Sequence, residues 1–162
     1  MAFKIFIIDD DATMREMLKD FCATKYGEAE IFAYETGEAA LEDLYRRPAV
    51  IILDYHLDSV DRNAMDGIQA LIRIKELLPN TPVIFLSSQD NPQIAADTVK
   101  HGAYDYIVKN ENAFNRLEIM INNSTGHLSL RKQLSVQRTF NIVLAILLVV
   151  GLIGFIVSRC MK

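Results

Sequence analysis

Two cysteines in 162 residues, Cys22 inside an apolar helical stretch and Cys160 third from the end, exclude a disulfide framework and a cysteine metal cluster. A surplus of positive charge is also lacking. With 17 Lys and Arg against 21 Asp and Glu the net charge is -4 and the isoelectric point near 5.4, so the broad cationic field used in non-specific nucleic-acid binding is absent. The N-terminus passes from Met1 into an apolar strand and reaches acids at Asp9, too early for the apolar core and cleavage site of a signal peptide. No internal repeat is visible. What the chain has in excess is apolar residues, 51% with a mean hydropathy of +0.14, and that excess is concentrated near the C-terminus.

Short runs of β-branched and aromatic residues alternate with helix-period segments. The pattern predicts strands at Lys4 to Ile8, Glu30 to Ala33, Val50 to Leu53, Val83 to Leu86 and Tyr104 to Val108, separated by helices near 14–25, 38–46, 66–78 and 91–101, with a last one near 112–122. Val50-Ile51-Ile52-Leu53 is apolar without alternation, as in a parallel strand buried on both faces. Thr13 with Glu16 reads as a capping box, Asn91-Pro92 as a helix start, and Gly102 behind His101 as a helix stop. Five βα units predict an α/β fold, a doubly wound parallel sheet over residues 1–123.

After Asn123 the sequence turns small and polar, and 124–139 reads as a linker and helical stem carrying Arg131, Lys132 and Arg138. Residues 140–157 contain no charged side chain and only Asn141 as a strongly polar one. A helix of that length reaches about 27 Å at about 1.5 Å per residue, close to a hydrocarbon core of about 30 Å. Apolar on every face, the segment predicts a transmembrane helix over 140–158 followed by a short tail, 159–162, rather than an amphipathic surface helix. The alternative is a helix buried in an oligomer core. A single-pass anchor in the cytoplasmic membrane with the globular part facing the cytoplasm is the expected placement.

Ligands in an open parallel sheet sit beyond the carboxyl ends of the strands. There the chain sets Asp9, Asp10 and Asp11 after the first strand, Asp54 after the third, Ser87 and Ser88 after the fourth and Lys109 after the fifth. Two carboxylates about 4 Å apart repel by about 1 kcal/mol at a dielectric near 80 and by about 4 at about 20, so such a cluster invites a divalent cation. Hard oxygen donors point to Mg²⁺ over zinc. Asp11 reads as part of the turn before the first helix rather than as a metal ligand.

These pieces, taken in order, resemble the response-regulator receiver family over about residues 3 to 122, in its chemotaxis-regulator-like form. The matching segments are Ile7-Ile8-Asp9-Asp10 with Thr13-Met14-Arg15, Val50-Ile51-Ile52-Leu53-Asp54, Met65-Asp66-Gly67, Pro82-Val83-Ile84-Phe85-Leu86-Ser87-Ser88, and Gly102-Ala103 through Tyr106-Ile107-Val108-Lys109. The resemblance implies a flavodoxin-like sheet of order 2-1-3-4-5. It implies Asp54 as the phosphoacceptor and Asp9, Asp10, Asp54 and the backbone carbonyl of His56 as Mg²⁺ ligands. Ser87 and Lys109 would bind the phosphoryl group, with Ser88 secondary and Tyr106 as a rotamer switch. Implied partners are a sensor histidine kinase or phosphotransfer protein as donor and an unidentified downstream protein. Such a domain is a phosphoacceptor in a two-component relay rather than an enzyme, with at most self-catalysed phosphotransfer and autodephosphorylation.

Two departures stand out. The stretch between Asp54 and Gly67 is about five residues longer than the family usually has, with Asp58 where a proline is common. Asn110 follows Lys109 where a proline is usual, which leaves the aim of Lys109 open. Two competing readings remain: a receiver-like membrane scaffold that never carries phosphate, and a phosphatase of the haloacid-dehalogenase type, whose Asp-x-Asp-x-Thr motif is matched by Asp9-Asp10-Asp11-Ala12-Thr13.

Overall fold

The computed structural model describes residues 3–57 and 64–126. Five strands, β1 (Lys4–Ile8), β2 (Glu30–Tyr34), β3 (Val50–Leu53), β4 (Val83–Ser87) and β5 (Asp105–Val108), form one sheet of order β2-β1-β3-β4-β5, every neighbouring pair parallel. Between them run α1 (Ala12–Lys25), α2 (Gly37–Glu42), a 3-10 turn (Leu44–Arg46), α3 (Gly67–Leu77) and α4 (Pro92–Lys100). A further helix, α5, occupies 113–126.

Side chains of a strand alternate between faces, and β1, β3 and β4 each carry four consecutive apolar residues, so both faces of the sheet must be covered. On one face Phe6, Ile8, Ile51, Leu53, Val83 and Phe85 pack with Ala40, Ala70, Leu71 and Ile74 of α2 and α3. On the other, Ile5, Ile7, Ile52, Ile84 and Ile107 meet Leu18 and Cys22 of α1 and Leu117 and Ile121 of α5. Each such side chain, taken fully out of water, contributes about 1.5–3 kcal/mol. Strand order reverses between β1, which is followed outward by β2, and β3, which starts the run to β5. The crevice at that reversal opens above Ile8 and Leu53, whose register partners they are.

Several boundaries differ from the sequence reading for local reasons. The cap of α1 is Asp11 rather than Thr13: its Oδ1 accepts from the Thr13 and Met14 amides at 2.8 and 3.4 Å, and Ala12 is already helical. The second helix is two pieces because Asp43, at its end, is drawn to the Tyr34 hydroxyl (2.9 Å) and to Arg46 Nε (2.9 Å), and Arg47 then takes a left-handed φ of 53°. At the C-terminal side, helix continues through the polar residues read as the start of a linker. Ser124 and Thr125 donate their hydroxyls to the Ile121 carbonyl at 3.0 and 2.7 Å and so stay on the helix. Asn91 and Gly102 behave as expected, the first accepting from Gln93 N and the second adopting a φ of +96°.

The chain divides into a unit Met1–Thr125, which holds the sheet, and a second unit Gly126–Lys162. Among the described residues no helix is long and apolar enough to cross a membrane. Of the expected linker and stem, 124–139, residues 127–139 lie outside the described residues, as do the expected transmembrane segment, 140–158, and the tail.

One glycine fixes how closely α3 approaches the crevice. Gly67 donates its amide to the Tyr55 carbonyl at 3.0 Å, and a Cβ there would collide with the Asp54 carbonyl oxygen and sit 2.7 Å from that of Tyr55. Backbone cannot yield as a side-chain tip can. Gly67→Ala is therefore expected to cost about 1–3 kcal/mol in urea unfolding, the usual penalty of overpacking, and a loss below a few tenths would contradict this packing.

Candidate functional site

Each component of the site is delivered by the carboxyl end of a strand. Asp9 and Asp10 follow β1, Asp54 follows β3, Ser87 closes β4 and Lys109 follows β5. The backbone is tied as tightly as the sheet below it: Asp54 N donates to Ile8 O (2.8 Å) and Lys109 N to Ser87 O (2.7 Å). Asp9 and Asp54 are 1% and 6% exposed, and Ser87 is fully buried. Carboxylate oxygens of Asp9, Asp10 and Asp54 all lie within 4.8 Å of one another.

Lys109 joins the acids. Its Nζ lies 2.9 Å from Asp9 Oδ2 and 3.2 Å from Asp54 Oδ1, so Asn110 in place of proline does not turn the lysine away from the cluster. The contact to Asp54 is one of charge without hydrogen-bond alignment, and Asp54 Oδ1 is left buried with no hydrogen-bond partner. Asp9 is held further by Asp11 N on its Oδ1 (3.0 Å), and Arg15 Nη1 donates to the Asp9 carbonyl (2.7 Å) while its other amine faces Glu35 at 3.6 Å. The sequence reading quoted Arg15 within a motif without giving it this supporting place.

Ser87 and Tyr106 share a partner. Ser87 Oγ accepts from Gln89 N at 3.2 Å, and the Tyr106 hydroxyl donates to Gln89 O at 2.7 Å. Tyr106 is 7% exposed and stacks on Phe85, so its ring is packed inward. Ser88, next along the chain, is exposed. His56 lies two residues beyond Asp54, its ring edge-on to Tyr55. Gln89 was not legible as a site residue, because the link runs through its backbone and leaves no mark on its side-chain type.

The electrostatics show an unbalanced charge. Burial pushes the Asp54 carboxyl up to about 6; the attraction of Lys109 works against this and Asp9 adds to it. Asp9 is likewise raised, by burial above all, despite its bond to Lys109. Lys109 is also raised, since the charge of Asp54 and its bond to Asp9 together outweigh the effect of its own burial. One ammonium thus serves two buried carboxylates with a third beside them. Hard oxygen donors, excess negative charge and an unpartnered buried oxygen together fit a small divalent cation such as Mg²⁺.

A consequence for stability follows from the sign of the Asp54 shift. A carboxyl whose pKa is higher in the folded than in the unfolded chain favours the fold while protonated and loses that contribution as pH rises from about 4 through about 6. Without divalent cation, Asp54→Asn should therefore be more stable than wild type at pH 7.5, by about 1–3 kcal/mol, with the gain shrinking toward pH 4. Thermal melts in chelator at the two pH values measure this, and an Asp54→Asn protein less stable at pH 7.5 would contradict it.

Comparison with known proteins agrees with this geometry. The family described as response regulator receiver domain matches residues 5–122. The chemotaxis protein CheY of Bacillus subtilis is 34% identical over 110 residues, covering 67% of this chain and 87% of that protein. A protein-glutamate methylesterase/protein-glutamine glutaminase of Sulfurimonas denitrificans is 38% identical over 113 residues, 67% of this chain but 30% of its own length. Among solved structures, the receiver domain of NtrX from Brucella abortus superposes with a TM-score of 0.66 at 26% identity, covering 75% of this chain and 98% of that one. The chain spans only 26% to 30% of the length of three longer relatives that it matches. With five parallel strands in the order 2-1-3-4-5 and an acid cluster at the strand ends, the chain belongs to the response regulator receiver domain family.

Proposed function

We propose that this receiver domain takes a phosphoryl group onto Asp54 from a phosphohistidine of a sensor kinase or phosphotransfer protein. The observation that carries the reading is Lys109 Nζ, placed 2.9 and 3.2 Å from Asp9 and Asp54 at the mouth of the sheet. In the transfer a carboxylate oxygen of Asp54 bonds to phosphorus, the phosphorus–nitrogen bond breaks, and the imidazole leaves with the electron pair. An anion attacking an anionic group needs positive charge in place beforehand. Lys109 supplies one such charge. Asp9, Asp10, Asp54 and the carbonyl of His56 are the residues that would hold Mg²⁺, which screens the phosphoryl oxygens when bound.

The Ser87–Gln89–Tyr106 arrangement suggests how the event leaves the site. A phosphoryl oxygen on Asp54 would accept the Ser87 hydroxyl proton and draw Oγ toward it, away from the Gln89 amide that donates to the same oxygen. Once that bond is lost, Gln89 shifts, and with it the carbonyl that holds the Tyr106 hydroxyl. The surface around α4, β5 and α5 then changes its packing, and a downstream protein senses that change. The phosphatase alternative loses support at Asp11, whose carboxylate caps α1 instead of facing the crevice.

Sequence rather than structure supports a location. Residues 140–158 are long and apolar enough for a single pass, which would hold the receiver on the cytoplasmic side of the cytoplasmic membrane. Signalling would then act on partners at the membrane surface.

Incubating the chain with acetyl phosphate and Mg²⁺ and weighing it intact tests the first claim. One added phosphate is expected on wild type and none on Asp54→Asn, while Lys109→Ala should label at least about tenfold more slowly, as when an electrostatic stabiliser is removed. Equal labelling of Asp54→Asn would refute the assignment. For the membrane claim, the chain should remain in the pellet after a carbonate wash; release into the supernatant would favour an oligomer-core helix.

A further inference from the structure

Residues 54–57 carry the acceptor and the His56 carbonyl, and residues 64–67 lead into α3 beside them, so contacts that fix these two segments bear on the site. The first is held by Leu57, 1% exposed and part of the core under α2 and α3. The second is held from outside. Glu38, in the first turn of α2, reaches across 27 positions of sequence so that its Oε1 accepts from the Met65 amide at 2.8 Å. The neighbouring Gly37 lets α2 come close enough: a Cβ there would lie 2.9 Å from Ala70 Cβ, 3.7 Å from Leu57 Cδ1 and 3.8 Å from Met65 Cβ. Gly37 and Glu38 thus meet both Leu57 and Met65, and Gly67, two residues after Met65, donates to the Tyr55 carbonyl.

The other oxygen of Glu38, Oε2, is buried and has no hydrogen-bond partner. A carboxylate kept in a half-buried place with one oxygen unsatisfied is unfavourable by itself. Its single described bond, to Met65 N, is then the contribution that the place offers. This bond is neither part of the acid cluster nor a helix cap, since α2 is capped by Thr36.

We propose that Glu38 is a positioning residue for the cation site: by tying Met65 to α2, two residues before the Gly67 amide that donates to the Tyr55 carbonyl, it holds the 54–57 backbone in the geometry that binds Mg²⁺. The inference rests on the phosphoacceptor reading above, in that Asp54 and the His56 carbonyl are taken as ligands. Groups that hold metal ligands in place typically contribute about 10- to 100-fold to affinity. Because Glu38 acts through backbone and not on a ligand directly, the lower end, about tenfold, is expected.

Calorimetric titration of the unphosphorylated 162-residue chain in detergent with MgCl₂ measures the affinity without any turnover. Glu38→Ala should weaken Mg²⁺ by about tenfold, and Glu38→Asp, too short to reach Met65 N, should weaken it also. Glu38→Gln keeps an acceptor oxygen and should stay within about twofold of wild type. Amide exchange at Met65 should speed up in the alanine and aspartate variants alone. If Glu38→Ala does not fold by circular dichroism, the aspartate variant carries the comparison. Wild-type affinity in both shortened variants, or a glutamine variant as weak as alanine, overturns the proposal. A wild-type chain whose Mg²⁺ binding is absent, or unchanged by Asp54→Asn, instead overturns the cation-site reading and this inference with it.

Discussion

The contact on which the rest depends is a single ammonium, Lys109 Nζ, lodged between two buried carboxylates that belong to strands on opposite sides of the switch point. Asp9 and Asp54 are both less than a tenth exposed, so neither can lean on water. Removing a charge from water costs several kcal/mol per ion, and one cation cannot fully offset two anions. The remaining imbalance appears as the raised pKa of Asp54. In a protein selected for stability alone this arrangement would be a fault. On the proposed reading, in which the site receives a cation and then a phosphoryl group, it is held ready for charges that arrive later.

Such readiness needs a rigid frame, and most of the sheet supplies it. Parallel strands buried on both faces place five carboxyl ends side by side, and the backbone bonds from Asp54 to Ile8 and from Lys109 to Ser87 carry the sheet's register to the last residue before the crevice. Arg15 steadies the Asp9 carbonyl from α1, and the close approach of Gly67 steadies Asp54 from α3. Gln89, in the loop after β4, joins Ser87 to Tyr106 through its own backbone. On the proposed reading, firmly tied acid ends and a serine–tyrosine link that shifts on phosphorylation would let a chemical event be read at a distance.

Much of this was legible in the sequence because it follows from short-range rules. Val50-Ile51-Ile52-Leu53 and Val83-Ile84-Phe85-Leu86 carry their burial in their composition, and a carboxylate, a serine or a lysine just past such a run falls at the mouth of the sheet. What could not be read depends on which of several nearby polar groups wins a backbone partner, and in one case on residues far apart in sequence. The break in the second helix comes from Asp43 meeting Tyr34 and Arg46, the cap of α1 from competition between Asp11 and Thr13, and the extension of α5 from hydroxyls that bond back to Ile121. The Glu38 to Met65 bond joins residues that no local pattern pairs. Conversely, the apolar run at 140–158 is visible only as sequence, because it lies outside the described residues.

The account's central claim is that Asp54 sits in an acid cluster short of positive charge. Carbon-detected NMR titration of its side-chain carboxyl tests it most directly. Without divalent cation the carboxyl should titrate at about 6, and addition of Mg²⁺ should return it to the ordinary carboxylate range or below. An Asp54 that titrates near 4 in chelator and does not respond to Mg²⁺ would contradict the account.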